Sequence, residues 1–212
     1  MCIRDSYKPE HNVVLEGNKI MSTAIGFSEI KDNLVTVTPL TGLYTPKTDE
    51  LVIGKIVSHN ALSWQVDINS YYSGILTASD IFGKDYSPSR DDLSLKLNTG
   101  DIILARIANV NSRDPLITIT GENLGKVDSG ELVKISPTKI PRLTEKNGSM
   151  IQTIEGSTNA TITVGQNGLI VVSCDETNGL LKALAAIRMV DEQAHLVNLT
   201  DKVKKMLESN GV

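Results

Sequence analysis

Few residues in this chain could make or break a covalent bond. Nucleophilic catalysis needs a nucleophile beside a base, and metal-assisted hydrolysis needs carboxylates converging on one ion. Asp91-Asp92 is the one adjacent pair of aspartates. Neighbours on an extended chain point to opposite sides, and no histidine is close in sequence, so the pair reads as a solvated loop. His195 follows Asp191-Glu192 near a helix end without a nucleophile beside it. Gly165-Gln166-Asn167-Gly168 lacks the Gly-Lys-Ser/Thr ending of a phosphate loop and joins two strand-like runs. Cys2 and Cys174 form no CxxC pair, and His11, His59 and His195 are too scattered for a zinc framework. Sparse cysteines also exclude a disulfide scaffold and fit a reducing compartment. The expectation is no catalytic residue, no metal and no cofactor.

What remains is binding chemistry. Tyr71-Tyr72 stand in a turn, where an exposed ring can stack on a base. Arg106 on a strand and Arg113 and Lys126 in loops can meet phosphates, against the ordinary reading of solvated surface cations. Trp64 fits core burial as well as RNA contact. The formal charge of −4 argues against a general nucleic-acid coat protein and leaves room only for a local basic patch. With 40% hydrophobic and 22% charged residues over 212 positions, an ordered globular chain is expected, and 4% aromatics require an aliphatic core. The longest apolar run, Ala183–Ile187, is far too short to span a membrane.

These residues must be carried by short strands. Turn-rich stretches at 42–46 and 125–130 suggest three units. In the first, Leu34–Thr38 alternates β-branched residues and 20–25 is a second strand candidate. The opening residues 1–6 resemble translated adapter sequence or an ordinary disordered terminus. In the second, runs at 51–57, 63–68, 73–76, 101–110 and 116–120 without a long helix point to a small closed barrel of the OB class. In the third, a strand at 131–135, a short helix starting after Gly148, strands at 160–164 and 169–173 and a helix from Thr177 to His195 follow the order of a KH domain. Asn167-Gly168 is a hairpin signal because both residues tolerate positive φ. Thr200 is placed to cap a final helix.

Many strings in one order then carry a resemblance. Pro39-Leu40-Thr41-Gly42-Leu43-Tyr44-Thr45-Pro46-Lys47, Glu50–Gly54, Trp64–Ser70, Arg113–Leu116, Leu124–Lys126, Gly148–Ile151 and Val164–Gly168 are similar to the RNA-binding cap subunit of the archaeal exosome, the ribosomal-RNA-processing protein four family with S1 and KH domains. The resemblance runs from about residue 18 to 208. It implies a mainly β chain with an α+β part: an irregular or artefactual terminus at 1–17, a partial N-terminal docking β domain at 18–48, an S1 domain with a five-stranded OB-fold barrel at 49–127 and a KH-type α+β domain at 128–212. It implies a non-catalytic, cytoplasmic subunit, not a membrane protein. Three copies, alone or mixed with a related cap protein, sit on a hexameric RNase PH-like ring and guide single-stranded, preferably A-rich RNA into it for 3′-5′ phosphorolytic degradation. The RNA-binding residues it suggests are Tyr72, Arg106, Arg113, Lys126, Lys146 and Gly148.

Three departures matter. The family's opening Pro-Gly-Asp segment has no counterpart, which reads as a truncated gene with an exposed sheet edge. The KH loop Gly-Lys-Lys-Gly is replaced by Glu145-Lys146-Asn147-Gly148, putting bulk and negative charge where backbone should approach phosphate. Gln65 and Thr77 stand where S1 strands usually carry stacking aromatics. A free-standing OB/KH RNA-binding protein and a non-assembling fragment of the cap subunit are the alternatives.

Overall fold

The structure, a computed structural model, describes residues 7–10, 12–17, 19–31, 33–39, 42–83, 85–88, 93–110, 114–193 and 199–208. The chain divides into two compact units, Met1–Gly42 and Leu43–Val212.

The first unit is built from β1 (Lys8–Pro9), β2 (Val13–Glu16), β3 (Lys19–Ser22), β4 (Gly26–Lys31) and β5 (Leu34–Pro39). The β-branched run is its centre: β5 pairs antiparallel with β4 and parallel with β1, while β2 and β3 form a hairpin. Two of these strands lie within 1–17, so that stretch is not irregular throughout. The single strand expected over 20–25 is interrupted. The Ala24 N–H donates to the Ser22 hydroxyl at 3.2 Å, and this local bond competes with ladder pairing. Among the described residues of this unit, Val13 and Val37 are buried, whereas Val14, Leu15, Met21, Ile25 and Ile30 are exposed.

The second unit starts with a closed five-stranded barrel: β6 (Leu51–His59), β7 (Ser63–Asp67), β8 (Gly74–Thr77), β9 (Ile102–Asn109) and β10 (Leu116–Thr118). Closure comes from β10, which pairs parallel with β8 and antiparallel with β9. This is OB-type order. A short helix, α1 (Ala78–Phe82), follows β8, and β11 (Gly125–Lys126) adds to β9. Alternation sends Trp64 and Val66 of β7 inward, where both are fully buried with Val52, Ile56, Leu76, Ile103, Ala105 and Ile107. The Trp64 indole N–H donates to the Leu97 carbonyl at 3.0 Å, so Trp64 is a core residue. Tyr44 joins the same core, although it lies in the stretch read as part of the docking domain.

The C-terminal part contains β12 (Glu131–Lys134), α2 (Ile140–Thr158), β13 (Thr161–Val164), β14 (Leu169–Ser173), α3 (Thr177–Gln193) and α4 (Leu199–Glu208). The sheet order is β12-β14-β13, antiparallel throughout. Ile140, Leu143, Met150 and Ile154 of α2 pack with Ile170 and Val172 of β14 and with apolar faces of α3 and α4. The expected break before Ser149 is absent: α2 runs unbroken over 19 residues, so Glu145–Gly148 is helical rather than a loop. Glutamate is a good helix former where the motif would have a breaking glycine. The final helix begins at Leu199, which puts Thr200 inside its first turn instead of at its cap.

Barrel and C-terminal sheet are joined at the turn Gly165–Gly168. The β6–β7 ladder begins only at Lys55, leaving the edge of β6 before it without β7 as a partner. Asn167, fully buried, fills that edge. Its Oδ1 accepts from Ile53 N at 3.3 Å, and its Nδ2 donates to Ile53 O at 2.6 Å and to Ile68 O at 2.9 Å. Gln166 N donates to Leu51 O at 2.8 Å. Beside these bonds, Ile53, Leu169 and Val171 bury a small apolar cluster. Within the turn, positive φ belongs to Gly168 (80°) and not to Asn167. The asparagine is therefore used for its amide, not for its backbone freedom.

A Cβ on Gly165 would collide with Asn167 Oδ1 and lie 2.9 Å from Ile53 N, whereas one on Gly156, within α2, would meet nothing within 4 Å. Gly165→Ala is expected to lower stability by roughly 1–3 kcal/mol through forced displacement at the joint. Gly156→Ala is expected to raise it by about 0.5–1 kcal/mol. Urea unfolding of the two variants beside the parent measures both signs.

Candidate nucleic-acid interface

The β7–β8 turn leaves the barrel at Ile68. Asn69 adopts φ 55° and receives the Asp67 carboxylate on its backbone N–H at 2.9 Å. Ser70 then forms a parallel bridge with Tyr44. Its hydroxyl accepts from Tyr72 N at 3.4 Å. The two rings that follow have no place in the core: Tyr71 is 77% and Tyr72 47% exposed. The Ile75 N–H donates to Pro115 O at 2.9 Å, which holds the end of the β9–β10 loop against the start of β8. Tyr72 and the flanks of that loop thus share one end of the barrel. Arg113 itself, like Asp91-Asp92 and His195, lies outside the described residues.

The outward face of β7 and β8 is polar where an aromatic platform would stand. Gln65 is exposed, its Oε1 accepting from Ser58 Oγ at 3.2 Å and its Nε2 donating to Ser73 Oγ at 3.1 Å. Thr77 is half-buried, its hydroxyl 3.1 Å from that of Ser79. Gln65 therefore offers amide edges to a ligand rather than a ring face.

The strand cations are engaged. Arg106 Nη1 donates to the Asp49 carbonyl at 2.7 Å and lies 3.3 Å from its carboxylate. Lys126 Nζ lies 2.9 Å from Asp101 Oδ2. The Asn98 backbone N–H, with the Lys126 ammonium second, holds the Asp101 carboxyl below its ordinary range. Lys126 pairs opposite Ile103, and the neighbouring Ile102 faces Lys55, which faces Asp67, so three strand spacings, about 14 Å, lie between Lys126 and the root of the tyrosine turn. The described flank of the β9–β10 loop, at Pro115, lies at the Tyr72 end of the barrel, and Arg106 and Lys126 each rest against an aspartate. Lys146 and Gly148 are in helical backbone of α2.

Residues that sequence reasoning missed sit beneath this end. Asn69 is buried, and its Nδ2 donates to Asn167 O at 2.6 Å. Tyr44 Oη donates to Glu50 Oε2 at 2.5 Å. Their signal was present as strings, Trp64–Ser70 and Val164–Gly168, but nothing in either string says that the two meet.

A barrel of OB order joined to an α+β part of KH order, with exposed rings at one barrel end, defines the class of the chain by its fold. No family model matches the chain. It is 59% identical over 206 residues to the Exosome complex component Rrp4 of Nitrosopumilus maritimus, covering 97% of this chain and 91% of the relative. The Rrp4 of Thermosphaera aggregans is 37% identical over 201 residues, covering 94% and 81%. A crystal structure of a protein assigned as an exosome complex RNA-binding protein superposes with a TM-score of 0.75 at 37% identity, covering 79% of this chain and 96% of that one. The chain belongs to the Rrp4 family of exosome complex components. Among the described residues no helix is long and apolar enough to cross a membrane.

Burial, then the hydrogen bond and charge of Glu50, push the Tyr44 hydroxyl far above its ordinary value near 10. A raised folded-state value means stability that is complete below the unfolded value and falls as pH rises past about 10. Urea midpoints measured from pH 8 to 11 should drop at the alkaline end in the parent. Tyr44→Phe should lower the midpoint at pH 8, through loss of a hydrogen bond worth about 1 kcal/mol, and flatten the alkaline drop.

Proposed function

We propose that this chain is a non-catalytic cap subunit that guides single-stranded, A-rich RNA into an RNase PH-like ring for 3′-5′ degradation. The observation that carries the reading is the pair of exposed rings, Tyr71 and Tyr72, at one end of an OB-type barrel in an Rrp4-family chain. Stacking on such rings is tolerant of sequence, and loop cations add contacts to phosphate. In this reading residues 49–127 act as an S1 domain that binds RNA, and 128–212 as a KH domain that packs and positions. The unbroken α2 supports the second part, because a helix does not present the open backbone that a KH loop uses to clamp phosphates. Residues 18–48 dock on the ring; the exposed Met21, Ile25 and Ile30 support an apolar contact there. Three caps around one pore, alone or mixed with a related cap protein, multiply weak contacts, so each barrel needs only modest affinity. This also suits an acidic chain in which Arg106 and Lys126 are already paired with aspartates.

Binding of labelled A-rich single strands to the ring assembled with this cap tests the reading. Arg113→Ala should weaken binding of every sequence and flatten the salt dependence by about one unit of slope. Tyr72→Ala should weaken binding by roughly 1–3 kcal/mol with little change in slope. Lys126→Ala and Lys146→Ala should each do little. Loss of binding in Lys146→Ala alone would transfer the clamp to the C-terminal part. Phosphate-dependent shortening of RNA by the cap chain without the ring would refute a non-catalytic role.

A further inference from the structure

We infer that Asn167, on the C-terminal hairpin, is a positioning residue for the Tyr71-Tyr72 turn of the barrel and through it for RNA affinity; the affinity part rests on the reading of Tyr72 as a stacking ring. The turn is tied from beneath by the C-terminal part. Asn167 Nδ2 holds Ile68 O at 2.9 Å, and Asn167 O accepts the Asn69 side-chain amide at 2.6 Å. Asn69, at positive φ, reverses the chain, and Asp67 and Ser70 fix the two neighbouring N–H groups, of Asn69 and Tyr72. Beyond Ser70 the rings extend into solvent, so the direction in which they leave the barrel is set by the anchors at 67–70. An amide suits position 167 because it must accept one bond and donate two at a fully buried site. A carboxylate would face two carbonyls without a proton to give.

Removing the side-chain amide frees Ile68 O and both backbone groups of Ile53, so the hairpin that presents the Asn167 carbonyl to Asn69 is no longer held against the barrel strand. The turn then samples other directions, and RNA must bear the cost of ordering it. A purely structural role predicts a lower melting temperature with unchanged affinity wherever the protein is folded. A positioning role predicts coupling to Tyr72.

The test uses the full chain labelled with 3-fluorotyrosine, observed by fluorine NMR, together with anisotropy titration of a labelled A-rich single strand by the cap-loaded ring. Circular dichroism sets a temperature at which every variant is folded. Asn167→Ala is expected to shift or broaden the Tyr71 and Tyr72 resonances while leaving that of Tyr86 in place. It should weaken RNA binding roughly fivefold, with no further loss when combined with Tyr72→Ala. Asn69→Gly keeps positive φ accessible and cuts the other tie, the side-chain bond to the Asn167 carbonyl, so it should move the same two resonances and carries the test if Asn167→Ala does not fold. Unmoved resonances, or a fivefold loss that persists undiminished in the Tyr72→Ala background, overturn the inference. Tyr72→Ala binding RNA as tightly as the parent overturns the stacking reading and the affinity part with it. The fluorine spectra distinguish that failure, because they report movement of the turn without RNA.

Discussion

One buried amide satisfies the edge of the barrel's first strand. The first strand of an OB-type barrel is long, and its ladder partner does not reach all of it, which leaves backbone groups that must be satisfied once water is excluded. Here the Asn167 side chain pairs with both the N–H and the C=O of Ile53, as a neighbouring strand residue would, and reaches Ile68 O beyond the end of β7. Because Asn167 is on the C-terminal hairpin, the same bonds that satisfy this edge join the C-terminal part to the barrel. Unpaired, these groups would each carry a desolvation penalty of about 1–3 kcal/mol.

The same constraint explains strands whose faces are both apolar. Val52 and Ile53 are adjacent on β6 and both fully buried, because Val52 faces the barrel core while Ile53 faces Leu169 and Val171. On β14, Ile170 and Val172 face the helices, and Leu169 and Val171 face the barrel. A continuous aliphatic run is what a strand covered on both sides requires. Such a core needs few aromatics, and Trp64 and Tyr44, the buried rings among the described residues, each find a polar partner.

Electrostatics are arranged sparingly. Arg106 and Lys126 each rest against an aspartate, while Lys55 of β6 is exposed opposite Asp67 in the ladder. In the proposed function, recognition falls to the rings at one end, which stand above buried contacts at residues 67–70. Such an arrangement fits repeated weak contacts better than one tight site.

Strand periodicity in residues 51–120 was enough to read an OB-type barrel, because alternation directly reports which face of a strand is buried. The strand–helix–strand–strand–helix order of the C-terminal part was legible for the same reason. Tyr71 and Tyr72 were legible as exposed because a polar turn cannot bury two rings. Other features depended on partners distant in the chain. Periodicity could not tell whether Trp64 faced Leu97 or solvent, nor that Arg106 and Lys126 were engaged 57 and 25 residues away. A glycine-loop motif suggested a break in α2, but the substituted Glu145 favours continuous helix. Asn167-Gly168 signalled a turn, which is a local property of backbone freedom. That the asparagine instead completes a strand 114 residues earlier is a property of the folded chain alone, because a side-chain amide acquires its role only from the backbone groups brought within its reach.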